Sequence, residues 1–379
     1  MSAETQRVAR LRELGQSVWL DQISRDLIRS GELERLVEQG VAGVTTNPSI
    51  FEKALGEGDA YDADVARFAA AGLTAQRILE RLLVADVQAA CDILAPVYEA
   101  SERLDGYVSI EVPPALAYDT EATMVEAKRI WATVERPNVM VKIPGTKEGL
   151  PAIRACLSAG LNINVTLMFS MAHYETVVEA FLDALEDRCA RHLPLPGVAS
   201  VASFFVSRLD TLADKVIDER LAGESSDDAR AGLASLKGRL AVANCRLVYA
   251  RFAEIFAAER WRPLGDDGAG VQRVLWASTS TKNPDYSDLL YVDTLIGPRT
   301  VNTLPLSTLS AFVDHGATRS TVQDDVAGAR RAFETAARLG LDMAALTEKL
   351  QVDGVAAFQK SYDSLLAMVD DKRGRASAG

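Results

Sequence analysis

A chain of 379 residues is long enough for one large α/β barrel or for two average domains, and length alone does not choose between them. Apolar residues at 48% and charged residues at 25% exclude a disordered chain and imply a sizeable core. The net charge of −12 excludes the basic surface that nucleic acid or an anionic membrane requires, although a few converging cations and backbone N–H groups can still hold a small anionic substrate.

Residues 1–15, with Glu4, Arg7, Arg10, Arg12 and Glu13, lack the apolar run of a signal peptide and read as a helical extension. The runs 17–21 and 41–45 read as strands, joined by a helix for which Ser30 is the expected N-cap and Gly40 the expected C-terminal glycine. Strands follow at 106–111, 138–143 and 161–166, with a helix starting at Asp119-Thr-Glu-Ala between the first two. A long amphipathic segment at 170–192 leads to a strand at 198–203, and a second at 227–259 reads as a helix added outside the fold. Behind Pro263, the run Leu264-Gly-Asp-Asp-Gly-Ala-Gly reads as a surface loop entering a strand at 271–278, and a weaker strand lies at 300–303. Residues 322–369 are helical by pattern, and the polar Asp-Asp-Lys-Arg-Gly-Arg tail is expected to fray. Alternation of this kind builds a parallel sheet with crossover helices, and eight strands predict a closed (β/α)8 TIM barrel, with residues 1–379 as one domain.

Cys91, Cys156, Cys189 and Cys245 are far apart, fall in helical segments and form no CxxC pair, so neither a disulfide framework nor a zinc site is expected. No stretch reaches the length of a membrane span, and a reducing cytoplasm is the expected location. His173, His192 and His315 lack metal-ligand spacing and no GxGxxG or GxxxxGK[ST] run is present, so no metal and no nucleotide cofactor is expected. Monomer and homodimer both stay open, because buried and exposed apolar helix faces share one pattern.

In a barrel the active site forms at the C-terminal ends of the strands, so polar residues that close apolar runs matter most. Asp21 closes Val-Trp-Leu, Asn47 closes Val-Thr-Thr and Glu111 closes Val-Ser-Ile. Lys142 interrupts Val-Met-Val-Lys-Ile-Pro, and Asn164 and Thr166 fall together in Asn-Ile-Asn-Val-Thr. A lysine in an apolar strand must snorkel out, find an anion or lose its proton, and the last outcome leaves an amine that can attack a ketone. Strand period puts Lys142 on one face with Met140 and Pro144, opposite Val139, Val141 and Ile143, so that it can enter the barrel. Glu111 then lies beside it as a proton carrier for imine chemistry, with Asp21 as a second acid. Plainer roles stay open on local sequence: Asn47 before Pro48 as a turn residue, Asp21 as an N-cap, Thr166 as strand filler, and Lys142 as half of a buried ion pair.

Taken together, Thr45-Thr-Asn-Pro-Ser-Ile, Val139-Met-Val-Lys-Ile-Pro-Gly-Thr and Asn164-Val-Thr-Leu-Met-Phe-Ser resemble the transaldolase family. Ser109-Ile-Glu-Val-Pro, Tyr118-Asp-Thr-Glu-Ala and Ala199-Ser-Val-Ala-Ser-Phe-Phe-Val-Ser-Arg fall in that family's order, so the resemblance runs from about residue 19 to about residue 316. It implies that Lys142 forms a Schiff base with a ketose donor, that Glu111 and Thr166 hold and activate water, and that Asp21 moves the proton of C–C cleavage. It further implies that Asn47 and Asn164 bind the dihydroxyacetone hydroxyls. Around the substrate's phosphate it places Ser203, Phe205 and Arg208, whose planar fork suits two oxygens, whereas local sequence alone also allows Arg208 a solvated helix face.

The seventh strand departs from the best-known bacterial pattern, Ala-Ser-Phe-Arg-Asn, and reads Ala277-Ser-Thr-Ser-Thr-Lys-Asn. Lys282, with Ser278 or Ser280, then stands where an arginine is usual, as in a separate subgroup, and a lysine does not reproduce a bidentate fork. The implied reaction moves a dihydroxyacetone unit from sedoheptulose 7-phosphate to glyceraldehyde 3-phosphate in the pentose phosphate pathway, without a cofactor. A related aldolase that releases free dihydroxyacetone is the nearest alternative, and Glu111 in place of a tyrosine and the long chain speak against it. A barrel that binds sugar phosphates without turnover keeps Arg208 but has no use for a desolvated lysine.

Overall fold

Short runs of apolar and β-branched residues form eight parallel strands in this computed structural model, which describes residues 3–378, with side chains described for 6–376. They are β1 (Gln16–Leu20), β2 (Gly43–Val44), β3 (Tyr107–Glu111), β4 (Val139–Pro144), β5 (Ile163–Met168), β6 (Ser200–Phe205), β7 (Arg273–Ala277) and β8 (Thr300–Leu304). Each pairs with its neighbour in chain order and β8 returns to β1, which closes the barrel and leaves no sheet edge. The fold is the expected (β/α)8 TIM barrel, with every expected strand present and its limits moved by a few residues.

Helix α1 (Ala3–Glu13) precedes the barrel, and α2 (Arg25–Arg29) and α3 (Glu32–Glu38) join β1 to β2. Ser30 does not cap α3: its N–H bonds back to Asp26 and its backbone is helical, so it cannot take the extended form a cap requires. Ser24 caps α2 instead, and Gly40 follows α3 with φ +108°, as a C-terminal glycine should. Helices α4 (Pro48–Gly56), α5 (Asp62–Ala70) and α6 (Ala75–Ala100) follow β2. Next come α7 (Thr120–Val134), capped by Asp119 as expected, α8 (Gly149–Ser158), and α9 (Met171–Ala190), capped by Ser170.

The segment expected as one helix over 227–259 is broken. It forms α11 (Asp227–Ala234) and α12 (Leu240–Ile255), behind α10 (Ser207–Gly223), because Gly238 turns the chain with φ +67° and gives its N–H to Asp214. Nor is α12 an outside addition: Ala241, Cys245, Val248 and Phe252 are buried in the main core, and Asn244 donates to the Phe169 carbonyl just past β5. The expected loop before β7 is helical in its first part, α13 (Trp261–Asp266), which accommodates Pro263 near its start. Helices α14 (Leu290–Asp293), α15 (Leu306–His315) and α16 (Val326–Arg338) lead to α17 (Met343–Ala378). The tail expected to fray belongs to α17, where Lys372 pairs with Asp62 of α5 and Arg373 with Asp370.

Two features fix the ends of the barrel. At the N-terminal end Arg273 bonds to Asp105 at 2.9 Å and to Ser17 at 2.9 Å, while the Trp19 indole and the Ser17 hydroxyl also donate to Asp105. At the opposite end α17 crosses the mouth, held by Gln351, whose buried amide donates to the carbonyls of Gly145 (3.1 Å) and Leu167 (3.0 Å). Gly354 allows that crossing, since a Cβ there would lie 2.9 Å from Leu167 Cδ2. Leu167 itself is left-handed, with φ +61°, where the pairing of β5 with β6 shifts register.

Candidate active site

Strand pairing sets Glu111 of β3 beside Lys142 of β4, and Lys142 beside Asn164 of β5, in one layer near the C-terminal ends. The side chains of Lys142 and Glu111 are 6% and 4% exposed, so both are withdrawn from water. Lys142 Nζ donates to the Thr46 carbonyl at 2.7 Å and stands 3.6 Å from Glu111 Oε2, beyond hydrogen-bond reach. The two side chains thus form a buried ion-pair contact, as the plainer reading of the lysine allowed, while the direct hydrogen bond of the lysine goes to the carbonyl. Both Glu111 oxygens and Thr166 Oγ1 are buried without a hydrogen-bond partner among the described residues, a costly state for polar atoms.

Burial pushes the Glu111 carboxyl up to about 7, with Lys142 pulling it down and Asp21 adding to the rise. A carboxyl at that value gives and accepts a proton with equal ease near neutrality. Asp21 follows β1 and accepts from the Thr45 hydroxyl at 2.9 Å; it caps no helix. Its carboxyl is also raised, by burial above all, against the opposing pull of Lys142, the Thr45 bond, Arg208 and Lys282.

Above this layer a cavity of about 260 Å³ opens at the mouth. Of the residues singled out in the sequence, Asp21, Asn47, Lys142, Thr166, Ser203, Phe205, Arg208, Ser278, Ser280 and Lys282 line it. Glu111 and Asn164 lie outside its wall: Glu111 sits behind Lys142, and Asn164 is fully buried, its amide donating to Ser109 while Ser203 donates to it. Asn47 caps α4 by accepting from the Ile50 N–H with an extended backbone, so its local role is a helix cap and not the turn residue that the sequence allowed, and its amide N–H groups stay unused by the cap. Arg208 opens α10 and lies over the Phe205 ring, 5.3 Å from its centroid. Ser278 has φ +57° and its hydroxyl meets that of Ser207 at 3.1 Å, while Lys282 Nζ donates to Ser280 at 2.6 Å.

Other residues of the site carry no separate mark in the sequence. Thr45 in the wall donates to Asp21 and meets the Thr303 hydroxyl at 2.6 Å, and Thr46, outside the wall, supplies the carbonyl for Lys142. The two threonines at 45 and 46 sit inside a motif already noted, so a signal existed for them. Phe358 of α17 also lines the cavity, 6.0 Å from the Arg208 guanidinium by its ring centroid, and nothing local distinguishes it from a packing residue. The C-terminal helix thus covers part of the site.

Comparisons with known proteins agree with the motifs. The sequence model of the transaldolase/fructose-6-phosphate aldolase family matches residues 18–369. The chain is 47% identical over 366 residues to transaldolase 2 of a Nostoc species, covering 96% of each chain. It is 47% identical over 382 residues to transaldolase 1 of Streptomyces avermitilis, covering 100% of this chain and 99% of that one. With the transaldolase of Mycobacterium bovis it shares 46% identity over 369 residues, 97% of each chain.

Proposed function

The chain belongs to the transaldolase/fructose-6-phosphate aldolase family, and we propose that it is a transaldolase, moving a dihydroxyacetone unit from sedoheptulose 7-phosphate to glyceraldehyde 3-phosphate through an imine on Lys142. The observation that carries this reading is the buried amine of Lys142 in the wall of a cavity, bonded to a carbonyl and 3.6 Å from the Glu111 carboxylate that can exchange protons with it. The amine adds to the ketose carbonyl, and loss of water leaves a protonated imine. Glu111 and Thr166 handle that water, a role supported by their buried oxygens, which have no hydrogen-bond partner among the described residues, and by a carboxyl that titrates near neutrality.

Asp21 then takes the proton of the C4 hydroxyl. The C3–C4 bond breaks, its electrons pass to the imine nitrogen, and erythrose 4-phosphate leaves. The enamine on Lys142 attacks the aldehyde carbon of glyceraldehyde 3-phosphate, the new alkoxide takes a proton back from Asp21, and water frees fructose 6-phosphate and the amine. Asn47 holds a dihydroxyacetone hydroxyl directly, and Asn164, buried behind the wall, acts on that subsite through Ser203, which we assign here, on its bond to Asn164, rather than to the phosphate end where the resemblance put it. Arg208 and Lys282 take the phosphate, with Ser278 and Ser280 beside them and the Phe205 ring under Arg208. We place the enzyme in the cytoplasm, since its four cysteines are unpaired, and as a monomer or homodimer.

Fructose 6-phosphate assayed with and without erythrose 4-phosphate tests this function. The expected result is sedoheptulose 7-phosphate with the acceptor and little free dihydroxyacetone without it. Steady release of dihydroxyacetone that ignores the acceptor would instead identify an aldolase.

A further inference from the structure

Helix α10 carries Arg208 in its first turn, facing the cavity, and Asp210 and Asp214 one turn apart on another face. Each buried carboxylate bridges two segments. Asp214 accepts from the Gly238 N–H at 3.0 Å and from the Tyr286 hydroxyl at 2.7 Å. Asp210 accepts from the Ala241 N–H at 2.8 Å and from the Tyr291 hydroxyl at 3.0 Å. None of these four side chains lines the cavity.

Both tyrosines lie on the stretch after β7 that also carries Ser280 and Lys282. That stretch is braced internally: the Thr281 hydroxyl donates to the Ser287 carbonyl at 2.8 Å, and the Asp285 and Tyr286 N–H groups bond back to Asn283. Lys282 therefore directly precedes the turn 283–286 that ends in Tyr286, inside the span bridged by Thr281 and Ser287. The Tyr286 ring reaches Asp214 over Gly238, where a Cβ would lie 2.6 Å from the ring and where φ is +67°, so this seat exists only with glycine.

We propose that Asp214 and Tyr286 are positioning residues for the substrate's phosphate, tying the braced segment that bears Lys282 to the helix that bears Arg208. The inference rests on the reading of those two cations as the phosphate site. Lys282 is an exposed side chain on a loop, and unless its root is fixed, binding must pay for ordering the whole segment. The Tyr286 to Asp214 bond removes that freedom beforehand. Asp210 and Tyr291 repeat the tie at the end of the same stretch, with a second bridge to α12.

The test compares wild type, Lys282→Ala, Tyr286→Phe and the double variant, with Asp214→Ala removing the acceptor of the same bond. Tyr286→Phe keeps the ring in its seat and removes one hydrogen bond. It is expected to raise KM for fructose 6-phosphate about 5-fold, with kcat within about twofold of wild type. Borohydride trapping of free dihydroxyacetone, which has no phosphate, is expected to stay at the wild-type level. The double variant is expected to be no worse than Lys282→Ala alone, because both changes act on one group. A lowered melting temperature with unchanged KM in Tyr286→Phe, while Lys282→Ala raises KM, overturns the positioning role, as do equal losses with phosphorylated and unphosphorylated ligands. If Lys282→Ala leaves KM unchanged, the phosphate reading fails and this inference with it.

Discussion

In the proposed mechanism Glu111 joins the chemistry and the energetics of the site in one side chain. Its carboxyl, raised from the ordinary 4.5 to about 7 by burial, is stabilised in its neutral form by the fold. That contribution is complete below pH 4.5, declines as pH rises, and is gone above about 7, where the buried charge costs roughly 3 kcal/mol at most relative to the unfolded chain. Glu111→Gln removes this pH dependence, so its stability relative to wild type is expected to improve across that window; parallel melting curves at all pH values would contradict the shift. The same variant is expected to slow imine formation by about a hundredfold or more in single-turnover trapping. The places of Asp21, Glu111 and Lys142 at the strand ends were legible in the sequence because each interrupts or closes an apolar run, whereas Thr166 looked like strand filler and was given a role only by the family resemblance. Phe358 and Gln351 were not legible, because in a 36-residue helix an aromatic at apolar spacing and a single glutamine between Leu350 and Val352 look like ordinary packing and solvated face. Only the path of that helix over the mouth gives them a role.

Among the elements, α17 has the clearest separable contribution. Gln351 satisfies two carbonyls at the ends of β4 and β5 from a buried position. Gln351→Leu leaves both unmet and is expected to cost about 1–3 kcal/mol, with faster amide exchange confined mostly to residues 343–378. Exchange unchanged there would show that apolar packing alone holds the helix. Eight strands could be read from sequence because each is a short β-rich run between polar turns. The break in the 227–259 segment could not, since apolar period continues on both sides and the turn at Gly238 is set by a tertiary partner, Asp214. Ser30 failed as a cap for a similar reason: a five-residue helix ahead of it, α2, had already claimed its backbone.

At the scale of the molecule the barrel divides its labour between its two ends. The N-terminal end is closed by the buried Arg273–Asp105 pair with Ser17 and Trp19, far along the strands from the mouth. Arg273→Met strands a buried carboxylate and is expected to lower unfolding free energy by about 3–5 kcal/mol in denaturant titration, with kcat retained wherever the variant is folded. Loss of activity in the folded variant would mean that the two ends are coupled. At the C-terminal end, one amine must become covalently attached to substrate if the transfer proceeds as described. Borohydride reduction in the presence of fructose 6-phosphate, followed by peptide mass analysis, reads that step directly. The expected result is a single reduced three-carbon adduct on Lys142, absent from a Lys142→Ala variant that has lost turnover. An adduct on another lysine, or near-normal turnover in Lys142→Ala, would contradict the account.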